Sequence, residues 1–324
     1  MADAQGLPEL ARIRATAQLL GSRKRRPPAE VVRHLLAVQA QDFPSVPLAL
    51  RARSRGLTRA EVHSAIDSGE LVISWLNRGT LHLVSREDYP WLHALTAPTL
   101  AAMNKRRLAQ EGVTNPKRNV RRLAKALEDG PMSRAAIGDR LGFGGPALTH
   151  LLLAATLGGQ IVRGPIRGSE QTFALTRDHL GELPDVDREA ALGELARRYF
   201  VGHTPASDAD LAYWSGLPLR DVRGGMARAG IDAEERSADR RRALPARLLP
   251  AFDPFIMGWK ERSFAIPDAL AKRVIPGGGV FRAVVLVDGR VTGTWSRAGG
   301  RVAIDAPEAD GLDAEIADVE RFLA

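Results

Sequence analysis

Apolar residues recur at helical spacing near the start of the chain. In the segment PPAEVVRHLLAV, residues 27–38, they fall three or four positions apart, at Val31, Val32, Leu35, Leu36 and Val38. Two prolines open the segment, and proline is favoured in the first turn of a helix. The pattern therefore predicts a helix over residues 27–38.

The next segment, residues 57–89, combines a helix signal with two strand signals. Thr58 followed three residues later by Glu61 is the pattern of a capping box at a helix start. The runs LVISW and TLHLV are rich in β-branched residues and are separated by the turn sequence LNRG. We predict a helix followed by a β-hairpin.

The same order recurs in residues 130–176. Ser133 begins a predicted helix, GFGG turns, a second helix covers residues 146–157, and the strands QIVRG and QTFAL follow. This is the order of a winged helix-turn-helix, whose second helix enters the DNA major groove. Residues 204–231, with Ser207 as a helix cap, form a weaker third copy. Winged helices also serve in dimerisation or protein docking, so the pattern alone leaves those roles open.

The last part of the chain differs in character. After Pro245 strand-like runs alternate with glycine-rich turns, and Asp288-Gly289 is a strong hairpin signal. A final helix is expected to pack Ile316, Val319 and Phe322. We predict an α+β protein with three tandem winged helix-turn-helix units, over residues 1–95, 96–185 and 186–243, and a small β-domain over residues 244–324.

Charge favours a polyanionic partner. The 324 residues carry a net charge of +8, yet residues 305–324 hold seven acids against Arg321 alone, a net −6. The preceding 304 residues therefore carry about +14, which favours nucleic acid, although basic surfaces are often merely solvated. No apolar run approaches the roughly 18 residues of a membrane span. We expect a cytoplasmic protein with no membrane partner.

Two glutamines, Gln39 and Gln41, stand at the expected end of the first helix. Within a helix, residues two apart point to nearly opposite sides, whereas in extended chain both face the same way. Phe43 precedes Pro44, which disfavours helix there, so we expect the helix to end between Val38 and Gln41. The two amides then converge on one site.

Amide side chains suit a particular kind of chemistry. They have no accessible pKa, but their oxygens can orient a water molecule and stabilise a developing cation. Cleavage of an N-glycosidic bond fits, above all where alkylation has already made the base cationic. The alternative is that both glutamines only cap the helix end.

Several stretches together resemble a known family. AVQAQDFPSVPLALRAR, WLNRGTLHLVSREDYPWL, LLPAFDPFIMGWKER and VFRAVVLVDGRVTGTW, in this order, look like the winged-helix DNA glycosylase family of AlkZ and YcaQ. The resemblance covers most of the chain. It implies three winged helices and a C-terminal β-barrel in a C-shaped, basic arrangement around DNA.

The resemblance also implies an activity. Gln39-Ala40-Gln41 matches the Gln-x-Gln form of the family's catalytic motif, with a smaller middle residue than usual. It implies a monofunctional glycosylase that removes N7-alkylated purines, including bulky genotoxin adducts and interstrand crosslinks, from double-stranded DNA in repair or self-resistance. Gln39 and Gln41 would position the water and stabilise the sugar cation, and Asp42 is either an electrostatic helper or a turn residue.

Further residues are candidates for DNA contact. They lie on the first predicted hairpin, on the second, and in the C-terminal region: Arg78, Thr80, His82, Arg163, Arg167, Lys260, Arg262 and Arg282. For His82 a structural role in the interior is the alternative, and for the three C-terminal residues it is plain surface charge.

Other chemistry is not indicated. The absence of cysteine excludes thiolate catalysis and cysteine zinc sites. The histidines are scattered, so we predict no metal and no cofactor. No dimerisation stripe stands out, and a monomer is expected. A winged-helix protein that binds DNA or regulates without cleaving it remains the alternative function.

Overall fold

A computed structural model describes residues 6–168, 170–232, 243–298 and 301–324. The chain is a mixed α and β protein in which short antiparallel sheets lie among many helices. Within these residues no helix has both the length and the apolar character needed to cross a lipid bilayer.

The first part of the chain surrounds a small sheet. Its elements are α1 (Leu7–Ala17), α2 (Pro28–Leu35), β1 (Val38–Gln39), α3 (Ser45–Arg51), α4 (Arg59–Asp67), β2 (Leu71–Leu76) and β3 (Thr80–Ser85). The three antiparallel strands have the order β1-β3-β2. The predicted capping box of Thr58 and Glu61 is confirmed at the start of α4. The predicted helix 27–38 is shorter than expected, because it ends at Leu35.

The second part repeats the order of helices and hairpin. It contains α5 (Tyr89–Gln110), α6 (Pro116–Ala126), α7 (Arg134–Leu141), α8 (Gly145–Leu157), β4 (Ile161–Arg167), β5 (Glu170–Leu175) and α9 (Thr176–Leu180). Ser133 caps α7 as predicted. The β4-β5 hairpin packs against β2 and α4 of the first part, where the Ile166 N–H donates to Asp67 Oδ1 at 2.7 Å. The two parts thus share a packed boundary.

The third part is helical in the described residues. It comprises α10 (Arg188–Gly202), α11 (Asp208–Ser215) and α12 (Leu219–Arg228). Ser207 caps α11, as the sequence predicts. A third hairpin would begin within residues 233–242, which lie outside the described residues, so the winged form of this copy stays a prediction.

The C-terminal part holds the third sheet. Its elements are β6 (Arg247–Leu249), α13 (Pro254–Met257), α14 (Asp268–Val274), β7 (Val284–Val287), β8 (Arg290–Ala298), β9 (Arg301–Asp305) and α15 (Leu312–Leu323). Asp288 and Gly289 both adopt positive φ at the β7-β8 turn, as a tight hairpin requires. The strands run in the order β6-β7-β8-β9, an open sheet in the described residues rather than a closed barrel.

The acidic end of the chain packs onto the body. Helix α15 buries Val319 and Phe322 as predicted. Its Glu315 and Asp318 receive hydrogen bonds from the Arg51 guanidinium, which is buried between the first part and the C-terminal sheet. The negative charge of the tail is thus partly neutralised within the chain.

A buried ion pair joins the first part to the motif AFDPF. Arg53 and Asp253 are fully buried, and the carboxylate accepts two hydrogen bonds from the guanidinium, at 2.8 and 2.9 Å. Gln18 completes the group: its Oε1 accepts from Arg53 Nη2 and its Nε2 donates to Gly202 O. These bonds satisfy both carboxylate oxygens and two of the three guanidinium nitrogens, while the buried Arg53 Nε has no partner among the described residues.

Candidate active site and nucleic-acid interface

Gln39 lies in a strand because α2 ends early. The residue after the helix, Leu36, has a left-handed backbone with φ 67°, which turns the chain out of the helix. Val38 and Gln39 then pair with Leu83 and His82 of β3. Val38 and Ala40 are buried in one hydrophobic cluster, so strand alternation directs Gln39 and Gln41 to the other side.

Three polar side chains form a row across the first sheet. Gln39 of β1 pairs with His82 of β3, and His82 pairs with Ser74 of β2. Residues paired in this way point to the same face of the sheet. Gln39 is 9% exposed. Its Oε1 is buried and has no hydrogen-bond partner among the described residues. A buried acceptor without a donor is costly and therefore marks a place where water or a ligand group fits.

The row below Gln39 is neutral. Burial lowers the pKa of His82 to about 4, against the opposing effect of its Nδ1–H bond to Thr80 O at 3.0 Å. Burial raises the pKa of the Tyr89 hydroxyl to about 12, with Ser74 close enough to moderate the shift. Neither the Ser74 nor the Tyr89 hydroxyl has a hydrogen-bond partner of good geometry within the described residues. At neutral pH the row offers dipoles and no charge.

Gln41 is exposed, in contrast to Gln39. Its Oε1 accepts a hydrogen bond from the Leu81 N–H at 3.3 Å, while the Leu81 carbonyl accepts one from the Ala40 N–H at 2.8 Å. The backbone of β3 therefore fixes the orientation of the Gln41 amide. Oriented in this way, the amide presents its N–H groups to solvent.

Asp42 has a local structural role. Its carboxylate accepts a hydrogen bond from the Ser45 hydroxyl, and its carbonyl accepts one from the Ser45 N–H, directly before α3. This arrangement favours the interpretation of Asp42 as a turn residue.

The two glutamines can together hold a small polar molecule. One amide is buried with a free acceptor, and the other is exposed with its acceptor occupied. Such a pair can orient a water molecule and can place dipoles beside a developing positive charge, but it cannot take up a proton.

Two predicted DNA-binding residues meet at one tyrosine. Arg78 lies in the turn between β2 and β3 and Arg262 follows α13, yet their guanidinium carbons are 4.6 and 5.5 Å from the ring centre of Tyr213 on α11. Arg262 also donates to the Tyr213 hydroxyl, and Arg78 to its carbonyl, each at 2.8 Å. Burial lowers the pKa of Arg78, and neighbouring Arg262 adds to the effect. The first hairpin is therefore docked onto the third part of the chain.

The remaining predictions on the first hairpin differ in exposure. Thr80 is half-buried and its hydroxyl faces the Asn77 carbonyl. His82 is 3% exposed, beneath the protein surface. This burial argues against the predicted DNA contact of His82 and favours the structural alternative.

The second hairpin presents its two arginines differently. The Arg163 guanidinium lies over Phe173 at 4.2 Å and over Trp75 at 5.2 Å, and burial lowers its pKa to about 10. Arg167 is exposed at the outer end, opposite Glu170 in the register. Arg163 also lines a cavity of about 460 Å³ that reaches Phe43, two residues beyond Gln41. Arg163 is thus close to the loop that follows Gln41, whereas Arg167 is at the exposed tip of the hairpin.

Lys260 and Arg282 are exposed, and their side chains have no ion-pair partner among the described residues. The structure therefore groups the predicted residues unevenly. Arg78 and Arg262 share a site, Arg163 borders the glutamines, and the others stand apart.

The structure also shows a basic surface that the predictions above did not include. It is formed by the end of α5 and by α6, and we call it the α5–α6 surface: Lys105, Arg106, Lys117, Arg118, Arg121, Arg122 and Lys125. All seven side chains are exposed. The signal is present in the sequence, since residues 116–126 carry five bases and no acid.

The glutamines lie outside the best-formed cavities. Gln39 and Gln41 line none of five well-formed cavities, of about 220 to 580 Å³, in the described part of the chain. Within the same residues no group of three or more histidine, aspartate or glutamate side chains could hold a metal ion.

Comparisons with known proteins agree on one family. The family model described as DNA glycosylase AlkZ-like matches residues 32–322. An interstrand DNA cross-link repair glycosylase from Streptomyces sahachiroi is 26% identical, with 87% of this chain and 85% of that protein covered. The solved structure of the Streptomyces sahachiroi DNA glycosylase AlkZ has a similar fold, with a TM-score of 0.79 and 21% identity over 98% of this chain and 96% of that chain.

Proposed function

The chain belongs to the family of AlkZ-like DNA glycosylases, and on that premise we propose that it is a monofunctional glycosylase. Its proposed reaction is hydrolysis of the N-glycosidic bond of N7-alkylated purines in double-stranded DNA. Bulky adducts and interstrand crosslinks are included, and the activity serves DNA repair or self-resistance in the cytoplasm. The observation that carries the proposal is the unpartnered, buried Oε1 of Gln39 beside the exposed, oriented amide of Gln41.

The proposed reaction needs little proton transfer to the base. An N7-alkylated purine is cationic, so it departs as a neutral base when the bond from its N9 to the sugar C1′ breaks. Water supplies the new bond to C1′, and the water's proton passes to solvent because neither glutamine can accept it. The Gln39 acceptor would hold the water, and the two amide dipoles would stabilise the positive sugar.

The neutral row beneath Gln39 supports this chemistry. A protonated histidine beside the sugar would oppose a developing positive charge. With a pKa of about 4, His82 is uncharged at neutral pH, so it does not add such a charge.

The absence of lysine from the segments that form the first sheet supports the monofunctional form. A glycosylase that also cuts the DNA backbone can use an amine to form a Schiff base with the sugar. No lysine occurs between Lys24 and Lys105, a range that includes all three strands of the first sheet.

The lack of a well-formed cavity at the glutamines supports bulky substrates. Enzymes that extrude a base need a pocket to receive it, and neither glutamine lines the best-formed cavities of the described residues. A crosslinked base, which cannot leave the duplex, would be reached more easily on such a surface.

We further propose the division into three winged-helix units, over residues 1–95, 96–185 and 186–243, and a C-terminal β-domain over residues 244–324. The helix and hairpin order of the second part supports it most directly. Arg78 and Arg262 at Tyr213, with Arg163, Arg167, Lys260 and Arg282, would contribute DNA contacts.

The experiment that tests the proposed function is excision of 7-methylguanine and unhooking of an N7-linked crosslink from duplex DNA. We expect Gln39→Ala and Gln41→Ala each to lower the single-turnover rate by roughly 10²- to 10³-fold, the usual effect of removing one preorganised dipole. Gln110→Ala, at an exposed glutamine of α5, is the matched control. DNA binding is measured for every variant.

The outcomes separate the two candidate functions. Loss of excision with intact binding supports the glutamine pair as catalytic. Wild-type protein that binds DNA and excises neither lesion would refute the proposed substrate range and favour a DNA-binding protein without catalysis.

A further inference from the structure

Helix α6 is basic along one entire face. At about 100° per residue, its five bases fall within an arc of roughly 140°: Lys117, Arg118, Arg121, Arg122 and Lys125. The opposite face buries Asn119, Leu123 and Ala126 against the neighbouring helices. This amphipathic pattern fixes the direction of the charged face away from the core.

The charge on this face is not neutralised by the part of the protein that the structure describes. In the described ranges, none of the five bases forms an ion pair, and the one side-chain contact is from Arg122 Nη1 to Asn119 Oδ1 at 3.1 Å. The end of α5 adds Lys105 and Arg106, which are also unpaired there. Positive side chains placed this close repel one another, so an anionic partner would lower the energy of the surface.

Helix α8 holds the position of the DNA-reading helix in a winged helix-turn-helix, yet it is poorly suited to that role. It contains no lysine or arginine, and it packs against α5, α6, β2 and β4. His150 Nδ1 is bonded to Asn104 Oδ1 at 2.7 Å, and the Thr149 hydroxyl accepts from Arg134 at 2.7 Å. These two polar side chains of α8 are therefore already hydrogen-bonded to other residues of the protein.

The basic face is linked rigidly to the proposed catalytic strand. Helix α6 packs on α8, and α8 packs on β2, which belongs to the same sheet as Gln39. Two such layers correspond to roughly 20 Å at most. The sheet lies between the two surfaces, because Leu123 of α6 belongs to the cluster that buries Val38 and Ala40, and Gln39 points to the other side. A DNA contact at α6 is therefore separate from the contact at the glutamines.

We propose that the α5–α6 surface binds the phosphate backbone of double-stranded DNA, and that α6 replaces α8 as the DNA-contacting helix of the second part. Helix α6 is about 16 Å long, which corresponds to the rise of four or five phosphates along one strand. The contact is independent of base sequence, because the exposed groups are long, flexible cations rather than base-reading pairs. The inference extends the proposed function, since it assumes that DNA is the substrate.

The test measures binding of undamaged duplex DNA as a function of salt concentration. The variant is the triple substitution Arg118→Ala, Arg121→Ala and Lys125→Ala, at the centre of the face. Alanine is a stronger helix former than these residues, so the exposed helix should stay folded, and circular dichroism checks this. The matched control removes three exposed, unpaired bases of the C-terminal part, with Lys272→Ala, Arg297→Ala and Arg301→Ala.

If three phosphate contacts are lost, the slope of log K against log salt should become shallower by about 2.7. Affinity should then fall by roughly 500-fold at 0.1 M salt and converge with wild type near 1 M. The control triple should leave the slope unchanged. An unchanged slope in the α6 triple, or an equal change in the control, would overturn the inference.

This result does not depend on excision. If wild-type protein excises no lesion, the proposed function fails, while the salt slopes still show whether α6 contacts DNA. If excision is confirmed and the slopes do not differ, the proposed function stands and the α6 inference fails.

Discussion

Gln18 and Gln39 are both buried glutamines, but their surroundings differ. Both ends of the Gln18 amide are bonded, to Arg53 and to Gly202. The Gln39 amide has an acceptor with no partner among the described residues, and the Ser74 hydroxyl in the same row has none either. The Gln18 amide is thus bonded at both ends, although Arg53 Nε and His203 Nε2 nearby have no partner among the described residues, whereas the Gln39 amide has a free acceptor.

The difference separates structural from functional polar groups. A buried polar group whose hydrogen bonds are complete stabilises one conformation, and its loss exposes its partners to an apolar interior. A buried acceptor without a partner costs stability, and it calls for an explanation such as a bound water, a ligand or a reaction that uses it. Stability measurements should therefore distinguish the two regions.

The largest expected effect is on the ion pair of the Gln18 region. Asp253→Ala leaves Arg53 charged, buried and unpaired, so we expect a loss of about 3–5 kcal/mol in the free energy of unfolding. Asp305→Ala, which breaks an ion pair whose carboxylate is 66% exposed, should cost less than about 1 kcal/mol. Both are measured by urea denaturation. A similar small cost in the two variants would contradict the structural role of this region.

The next prediction compares the change in the free energy of unfolding when each of the two glutamines is replaced. Gln18→Leu removes the acceptor of a charged donor, with an expected cost of about 2–3 kcal/mol. Gln39→Leu removes an amide whose acceptor is already unpaired, so the expected change is within about 1 kcal/mol and can be stabilising. Equal costs in equilibrium unfolding would mean that the Gln39 amide is bonded in solution after all, by water for example.

The third comparison concerns pH, which should affect both regions alike. Burial lowers the pKa of His82, beside Gln39, to about 4, and that of His203, next to Gly202, to about 3. The unfolded chain binds protons near pH 6.5, so each histidine makes the folded state less stable as pH falls below that value. The expected slope is about 1.4 kcal/mol per pH unit for each histidine.

This pH effect is measured by urea unfolding between pH 7.5 and 4.5. His82→Gln and His203→Gln should each make the free energy of unfolding depend less steeply on pH. The free energy of each variant above pH 7 serves as its reference. A slope that neither substitution alters would show that these two histidines are not buried in neutral form.

Local patterns in the sequence predict much of the fold. The capping boxes of Thr58 and Ser207 and the Asp288-Gly289 turn depend on neighbouring residues, which the sequence displays directly. The order of helices and hairpin in the second part also follows from local periodicity. These elements could be predicted because their main determinants lie within a few residues.

Long-range contacts explain what local patterns missed. Helix α2 ends at Leu35 rather than near Gln39, because β1 pairs with β3 more than forty residues away. The meeting of Arg78 and Arg262 at Tyr213 joins three distant parts of the chain. Pairings of this kind have no local signature, so the environment of Gln39 could not be derived from the sequence.

The composition of the α5–α6 surface has a practical consequence for covalent labelling. Six of the 46 basic residues of the chain are lysines, and three of these six, Lys105, Lys117 and Lys125, lie on that surface. Reagents that acylate amines therefore sample this face with half of the lysines, since arginine does not react with them. Peptide mass mapping that compares these three with the exposed Lys24, Lys260 and Lys272 would detect protection of this one face without any engineered tag.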